Sequence, residues 1–283
     1  MYAPPNDPAQ RGRMTAAHHR AAVQLGVTVT GPETWGWNGR TLGRPARHPA
    51  HGDCWLRLDS APASRRPDAA WEGTAVAAAV LPGVPQPRLY AVDEHRTGGA
   101  LYHAELSAYL SSPVCSADPV LRAPLELPGR WWASLRTSLA AVSTTVTERV
   151  TLRRAWLDQV FPVFLGLPPP VEVEFTAAHG DLHWSNLTRR GPVLIDWEAY
   201  GTAPRGYDAA LLLAYSLLVP RTAARVRAEL AHLLDTPWGR VAQLTAAAEL
   251  LENASRGDHP ELVPPLRAFA TALGRAPTSP AVS

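Results

Sequence analysis

Lysine is absent from this 283-residue chain, so all 27 basic side chains are arginines. Cysteine is scarce. Cys54 and Cys115 lie far apart in sequence, which excludes a metal or disulfide framework and fits a reducing cytosol. The formal net charge is only +2, which argues against a polyanionic partner such as nucleic acid. No apolar run has the form of a secretory or membrane segment. Residues 1–13 are polar and proline-bearing with no apolar h-region, and are expected to be a disordered tail rather than a signal. No internal repeat is evident. What the chain does have is length and apolar residues, 46% of the total, enough for two separate cores.

The densest chemistry lies in His179-Gly180-Asp181-Leu182-His183-Trp184-Ser185-Asn186 and, shortly after it, Leu194-Ile195-Asp196-Trp197-Glu198. Taken alone, a His-Gly-Asp triplet is a turn, with glycine giving backbone freedom and aspartate capping local amides. His179, Asp181 and His183 together have the composition of a transition-metal cluster. Neither reading needs Asn186, nor a further carboxylate at Asp196. Val193 to Ile195 are expected to form a short buried strand that Pro192 cannot enter deeply, which puts Asp196 at a strand end where loop residues meet ligands.

Asp181 and Asn186 have the spacing of aspartate and asparagine in the protein-kinase loop H-R-D-x-x-x-x-N. Over nearly its full length the chain resembles the aminoglycoside phosphotransferase and choline kinase-like family, whose signature has the form H-G-D-L-H-x-x-N followed by I-D-W. The resemblance implies an α+β, protein kinase-like two-lobe fold, with a small antiparallel-sheet N-lobe and a larger helical C-lobe. It implies Asp181 as the base that orients the acceptor hydroxyl, Asn186 and Asp196 as Mg²⁺ ligands, and ATP or GTP as phosphate donor. His179, His183 and Glu198 would support that loop, and Asp208, opening the apolar run Leu211, Leu212, Tyr215, Leu218, would brace it from within.

The pattern along the chain fits this layout. A helix is expected over Thr15–Leu25, closed by Gly26, with extended chain from Val27 to Thr30. Asn38-Gly39 between Trp35-Gly36-Trp37 and Arg40-Thr41-Leu42 is a two-residue hairpin signal, since both residues accept positive φ. Asp53–Leu58 alternates as a strand, 60–67 reads as a loop, and Asp68–Leu81 as an alanine-rich helix. Arg88–Val92 and Leu101–Leu106 are strands joined across Thr97-Gly98-Gly99. This gives an N-lobe over 14–110 and, with four prolines, an interlobe linker over 111–128. The C-lobe, 129–283, has helical patterns at Trp131–Val142, Leu152–Leu165, Tyr207–Leu218, Thr222–Leu234, Val241–Leu251 and Pro260–Leu273.

On this layout the strand lysine that binds nucleotide in ordinary kinases is missing, and Arg57 takes its place. Glu72, on the following helix, is its expected partner. Arginine keeps the charge and its fork suits phosphate oxygens, but lysine and arginine are not interchangeable. A surface arginine on an edge strand has the same alternation. Trp55 shares the face of Arg57, where kinases carry a small residue over adenine, so its indole either stacks on the base or fills the pocket. Ala104-Glu105-Leu106 resembles the hinge whose backbone binds adenine. Gly36-Trp37-Asn38-Gly39 is a tight hairpin rather than an open phosphate cradle.

The acceptor is the least determined part. From residue 206 onward Asp208, Glu229, Asp235, Glu249, Glu252, Asp258 and Glu261 are balanced by Arg221, Arg225, Arg227, Arg240, Arg256, Arg267 and Arg275, so there is no acidic surplus for a polycation. An aromatic cage from Trp184, Trp197, Tyr200, Tyr207 and Trp238 would suit a choline-like ligand. A hydroxyl-bearing small molecule, or Ser/Thr of a natural-product precursor peptide, suits a neutral site. The expected function is thus a cytoplasmic, membrane-free O-phosphotransferase. The alternative is a pseudokinase-like binding protein, supported by the missing lysine and the altered glycine loop.

Overall fold

A computed structural model describes residues 3–64 and 70–275. Its contacts divide the chain into two compact units, Met1–Ala78 with Gln86–Ser111, and Ala79–Pro85 with Ser112–Ser283.

The first unit opens with helix α1, Pro8–Gln24, where a disordered tail and a later helix start were expected. The helix begins early because Asp7 caps it, accepting from the amides of Ala9 and Gln10, and because Pro8 falls in the first turn, where a missing N–H costs nothing. Its buried residues Met14, Ala17, His18, Ala21 and Ala22 follow helical spacing and lie on one side of a sheet. That sheet comprises β1 (Thr28–Val29), β2 (Thr34–Trp35), β3 (Thr41–His48), β4 (Gly52–Pro62), β5 (Leu89–Thr97) and β6 (Ala100–Ala108), all antiparallel, in the order β1-β3-β4-β6-β5 with β2 also on β3. The Asn38-Gly39 hairpin forms as its sequence requires, with φ of 51° and 67°.

Along β4 the period of two decides everything. Cys54, Leu56 and Leu58 are fully buried in the core under α1. Trp55, Arg57 and Asp59 therefore lie on the other face. Helix α2 (Ala70–Val80) reaches that face, where Trp71 donates to Asp59 at 3.2 Å. The first residues of the expected 68–81 helix fall outside the described residues.

The second unit is mainly helical: α3 (Gly129–Ser143), α4 (Arg154–Val160), α5 (Tyr207–Ala214), α6 (Pro220–Glu229), α7 (Ala231–Leu234), α8 (Pro237–Ser255) and α9 (Val263–Arg275). Two expected helices are interrupted. The segment 152–165 passes from α4 into a π-helical turn, Phe161–Leu165, at Pro162, which lacks an amide donor. The segment 222–234 breaks at Leu230 into α6 and α7. All of α5 is buried, against α8. A two-stranded pair, β7 (Phe175–Ala178) with β8 (Gly201–Pro204), brackets the motif region, Ala178 opposite Gly201. The short strand expected over 193–195 shrinks to a bridge between Leu187 and Leu194, because the chain turns tightly between them with Thr188 and Val193 paired across the turn.

Candidate active site

β7 delivers His179 and Gly180 into a loop anchored from beneath. Asp208, in the first turn of α5, accepts the amide of His179 at 2.8 Å and that of Gly180 at 3.0 Å. Burial pushes the Asp208 carboxyl up, against the pull of His179 and the two amides. Gly180 has φ +88°, and a Cβ there would stand 2.3 Å from the carbonyl oxygen of Ala199, so only glycine fits.

His179 is a cross-tie. Its Nε2 lies 3.0 Å from the Ile195 carbonyl and its Nδ1 3.3 Å from the Asp181 amide, so a neutral ring donates at Nε2 and accepts at Nδ1. Burial lowers its pKa and favours that neutral form. Because Ile195 also donates its amide to the Asn186 carbonyl at 3.1 Å, the residue before Asp196 is tied twice to the loop that runs from His179 to Asn186. Trp197 then packs its ring on His179, centroids 4.6 Å apart, and donates to the Leu194 carbonyl. Asp196 itself has φ +66°, a conformation aspartate tolerates better than most residues.

The Asp181 side chain is half-buried, 41% exposed. Its Oδ2 lies 3.4 Å from His183 Nε2 and 3.5 Å from the Asn186 amide nitrogen, which also donates to the Asp181 carbonyl at 2.9 Å. Desolvation alone would raise the Asp181 pKa. His183, His179 and the Asn186 amide outweigh it and hold the carboxyl below its ordinary range. His183 is itself set by Ser185, 2.9 Å from its Nδ1. With its nitrogen committed, Asn186 presents its amide oxygen as the free donor atom for a cation. That oxygen and the Asp196 carboxylate are hard ligands suited to a divalent ion such as Mg²⁺. Among the described residues no group of three His, Cys, Asp or Glu side chains can hold a metal, so phosphate oxygens or water would complete the shell.

Glu198 lies in the short 3-10 turn Trp197–Ala199 that follows Asp196. Arg149 donates to the carbonyls of Glu198 at 3.1 Å and Tyr200 at 2.7 Å, and Thr151 to that of Ala199 at 2.6 Å. Neither Arg149 nor Thr151 carries a sequence signal, since both act on carbonyl groups. Glu249 and Glu252 on α8 were likewise invisible as site residues. Burial pushes Glu249 up to about 8, with the fields of Asp181 and Glu252 adding to it, and Tyr207 donates to its Oε2. Glu252 is paired with Arg256 at 3.1 Å and accepts from Trp156. The aromatic cage does not form. Trp184, Trp197, Tyr200 and Tyr207 are fully buried, and Trp184 packs against Trp131 and Trp132 with its N–H on Ser216.

In the first unit Arg57 pairs with Glu105, directly opposite on β6, at 3.9 Å. Glu72 sits exposed in the first turn of α2. The Trp55 indole lies over Gly43, where a Cβ would meet it at 2.3 Å. The hinge expected at Ala104, Glu105 and Leu106 is not there. All three are mid-strand in β6, paired with β4 on one side and β5 on the other, so the sheet consumes their backbone groups. What Glu105 offers is its carboxylate.

An antiparallel-sheet unit followed by a helical unit is the protein kinase-like α+β fold, shared with kinases of known structure. Residues 115–244 match the model of the phosphotransferase enzyme family. The part of the chain that bears the loop is thus similar to the phosphotransferase enzyme family. An amicoumacin kinase in complex with AMP-PNP and Ca²⁺ is similar in fold, with TM-score 0.56 at 12% identity over 94% of this chain and 95% of that one. A choline/ethanolamine kinase family protein from Mesorhizobium loti gives 0.55 at 17%, over 93% and 95%. A spectinomycin phosphotransferase with ADP and spectinomycin gives 0.53 at 12%, over 93% and 98%. No curated protein matches the sequence significantly.

Proposed function

We propose that this chain transfers the γ-phosphoryl group of ATP or GTP to a hydroxyl of an uncharged small molecule or of a peptide serine or threonine. The observation that carries the reading is the Asp181 carboxylate, half-exposed, ionised, and tied by Asn186 into the same loop to which Ile195 secures Asp196. A carboxylate held this low is a weak base in the ground state. Asp181 therefore orients the hydroxyl and accepts its proton as the bond to phosphorus forms. Asn186 and Asp196 would hold Mg²⁺, which when bound neutralises charge on the phosphate oxygens. Arg57 contacts nucleotide phosphates and Trp55 lies near the base.

The acceptor side favours a neutral molecule. Burial pushes Glu249 up to about 8, toward its neutral form, and Glu252 is paired with Arg256, so little field remains for a polycation. The rival is a binding protein without phosphotransfer, for which the Trp55 indole laid over Gly43 is the specific support. A thermal-shift titration with ATP and GTP, with and without Mg²⁺, tests the reading. Metal-dependent stabilisation is expected, and no nucleotide response would favour the rival.

A further inference from the structure

Both ring nitrogens of His103 face carboxylate oxygens. Nδ1 is 2.9 Å from Glu94 Oε1 and Nε2 is 3.3 Å from Glu105 Oε1. A neutral imidazole has one N–H and one lone pair, so only the imidazolium donates to both. The ring is nearly buried, and Trp71 of α2 stacks on it with centroids 5.2 Å apart at 18°. Glu105 then links two cations, since its other oxygen is the one that pairs with Arg57, while the Thr74 hydroxyl donates to the same carboxylate. Register explains the cluster: Glu105 lies opposite Arg57, and His103 opposite both Asp59 and Glu94. Among the described residues, the charged groups about the ring include Glu94 on β5, Glu105 on β6, and Arg57 and Asp59 on β4, with Arg40 reaching Asp59 at 3.4 Å. From α2 come Trp71 and Thr74, neutral, and the exposed Glu72.

We infer that His103 is a positioning residue for Arg57, acting through Glu105, so that nucleotide affinity follows the His103 proton. The inference rests on the proposed contact between Arg57 and phosphate. A bound phosphate draws the guanidinium into a charge-assisted bond and loosens its hold on Glu105. The imidazolium keeps that buried carboxylate satisfied. Once His103 loses its proton, a lone pair faces a carboxylate and Glu105 competes with phosphate for Arg57.

Desolvation of His103 lowers its pKa, but Glu105 and Glu94 outweigh it and hold the ring above its ordinary value. The stabilisation is therefore complete below about pH 6.5 and is lost as pH rises through the raised value. By reciprocity, nucleotide binding takes up a proton on the alkaline side.

Titration calorimetry with Mg²⁺ and a non-hydrolysable ATP analogue, from about pH 6 to about pH 9, tests this. Wild-type affinity should fall about five- to tenfold across the window, and His103→Gln should lack that step. Glu94→Gln, at a side chain 54% exposed, should keep the fold and move the step to lower pH. One pH profile shared by wild type, His103→Gln and Glu94→Gln would overturn the inference, and Glu94→Gln decides alone if His103→Gln does not fold. Arg57→Ala separates the two levels. Unchanged affinity in that variant at every pH removes the phosphate role of Arg57 and this inference with it. A loss of about ten- to a hundredfold there, beside a wild-type pH profile in His103→Gln, removes only the role of His103.

Discussion

The role proposed for Asp181 needs an oriented, half-exposed carboxylate whose charge is secured by the groups around it. Asp181→Asn keeps the shape and removes the acceptor for the proton. Turnover should drop by about two to four orders of magnitude while nucleotide affinity and melting temperature stay near wild type. A fully active variant, measured by phosphate transfer to a hydroxyl substrate, would remove Asp181 from the chemistry. Arg57 and Trp55 make a second test. Arg57→Ala should cost roughly 1.5 to 3 kcal/mol of nucleotide binding, with Arg57→Lys retaining part, and Trp55 fluorescence should change on binding. Silence of both signals would mean that the indole fills the base site. At this scale the nearness of Asp181 and Asn186 was legible because their spacing is local and they meet through their own side chains. Glu105 is not at a hinge because β6 runs between β4 and β5 there, and β4 places Arg57 opposite it.

Helix α1 shows how a short polar prefix becomes structure. Residues 8–13 have few apolar groups, yet Asp7 and Pro8 start the helix and Met14 and the alanines after it dock on the sheet. Asp7→Ala should cost about 1 kcal/mol in urea unfolding. An unchanged midpoint would show that packing alone fixes the start of α1. The loop that carries Asp181 is constrained more tightly. Gly180→Ala must accept a left-handed φ costing about 1–3 kcal/mol and a contact with the Ala199 carbonyl besides, so it should lower stability and disturb activity together. A variant with full stability by the same measurement would show that the loop between β7 and β8 has room to move.

For the molecule as a whole, titration of Glu249 gives a pH signature. Its folded pKa, about 8, lies above the ordinary carboxyl value, so its contribution is present below that ordinary value and is lost as pH rises toward 8. Wild type should therefore lose stability relative to Glu249→Gln as pH rises from about 4.5 to about 8, with the difference level above that. Parallel stability curves for the two proteins would place the Glu249 pKa in the ordinary range. Metal dependence is the second global signature. Asp196→Ala should abolish the Mg²⁺-dependent part of nucleotide stabilisation in a thermal-shift assay, and an undiminished Mg²⁺ effect would release Asp196 from that role.

The sequence alone determined the two-part architecture, the Asn38-Gly39 hairpin, the alternation that puts Arg57 opposite the buried Leu56 and Leu58, and the nearness of Asp181 to Asn186. Each of these depends on neighbours within a few positions, where period, turn chemistry and motif spacing are read directly. Tertiary structure decided the rest: His179 tying Ile195 to the loop, Arg149 and Thr151 holding carbonyls near Asp196, Glu249 sensing Asp181, and Glu105 joining Arg57 to His103. Those links join residues distant along the chain, several through backbone atoms that every residue possesses. Only strand register and helix packing choose which of them meet.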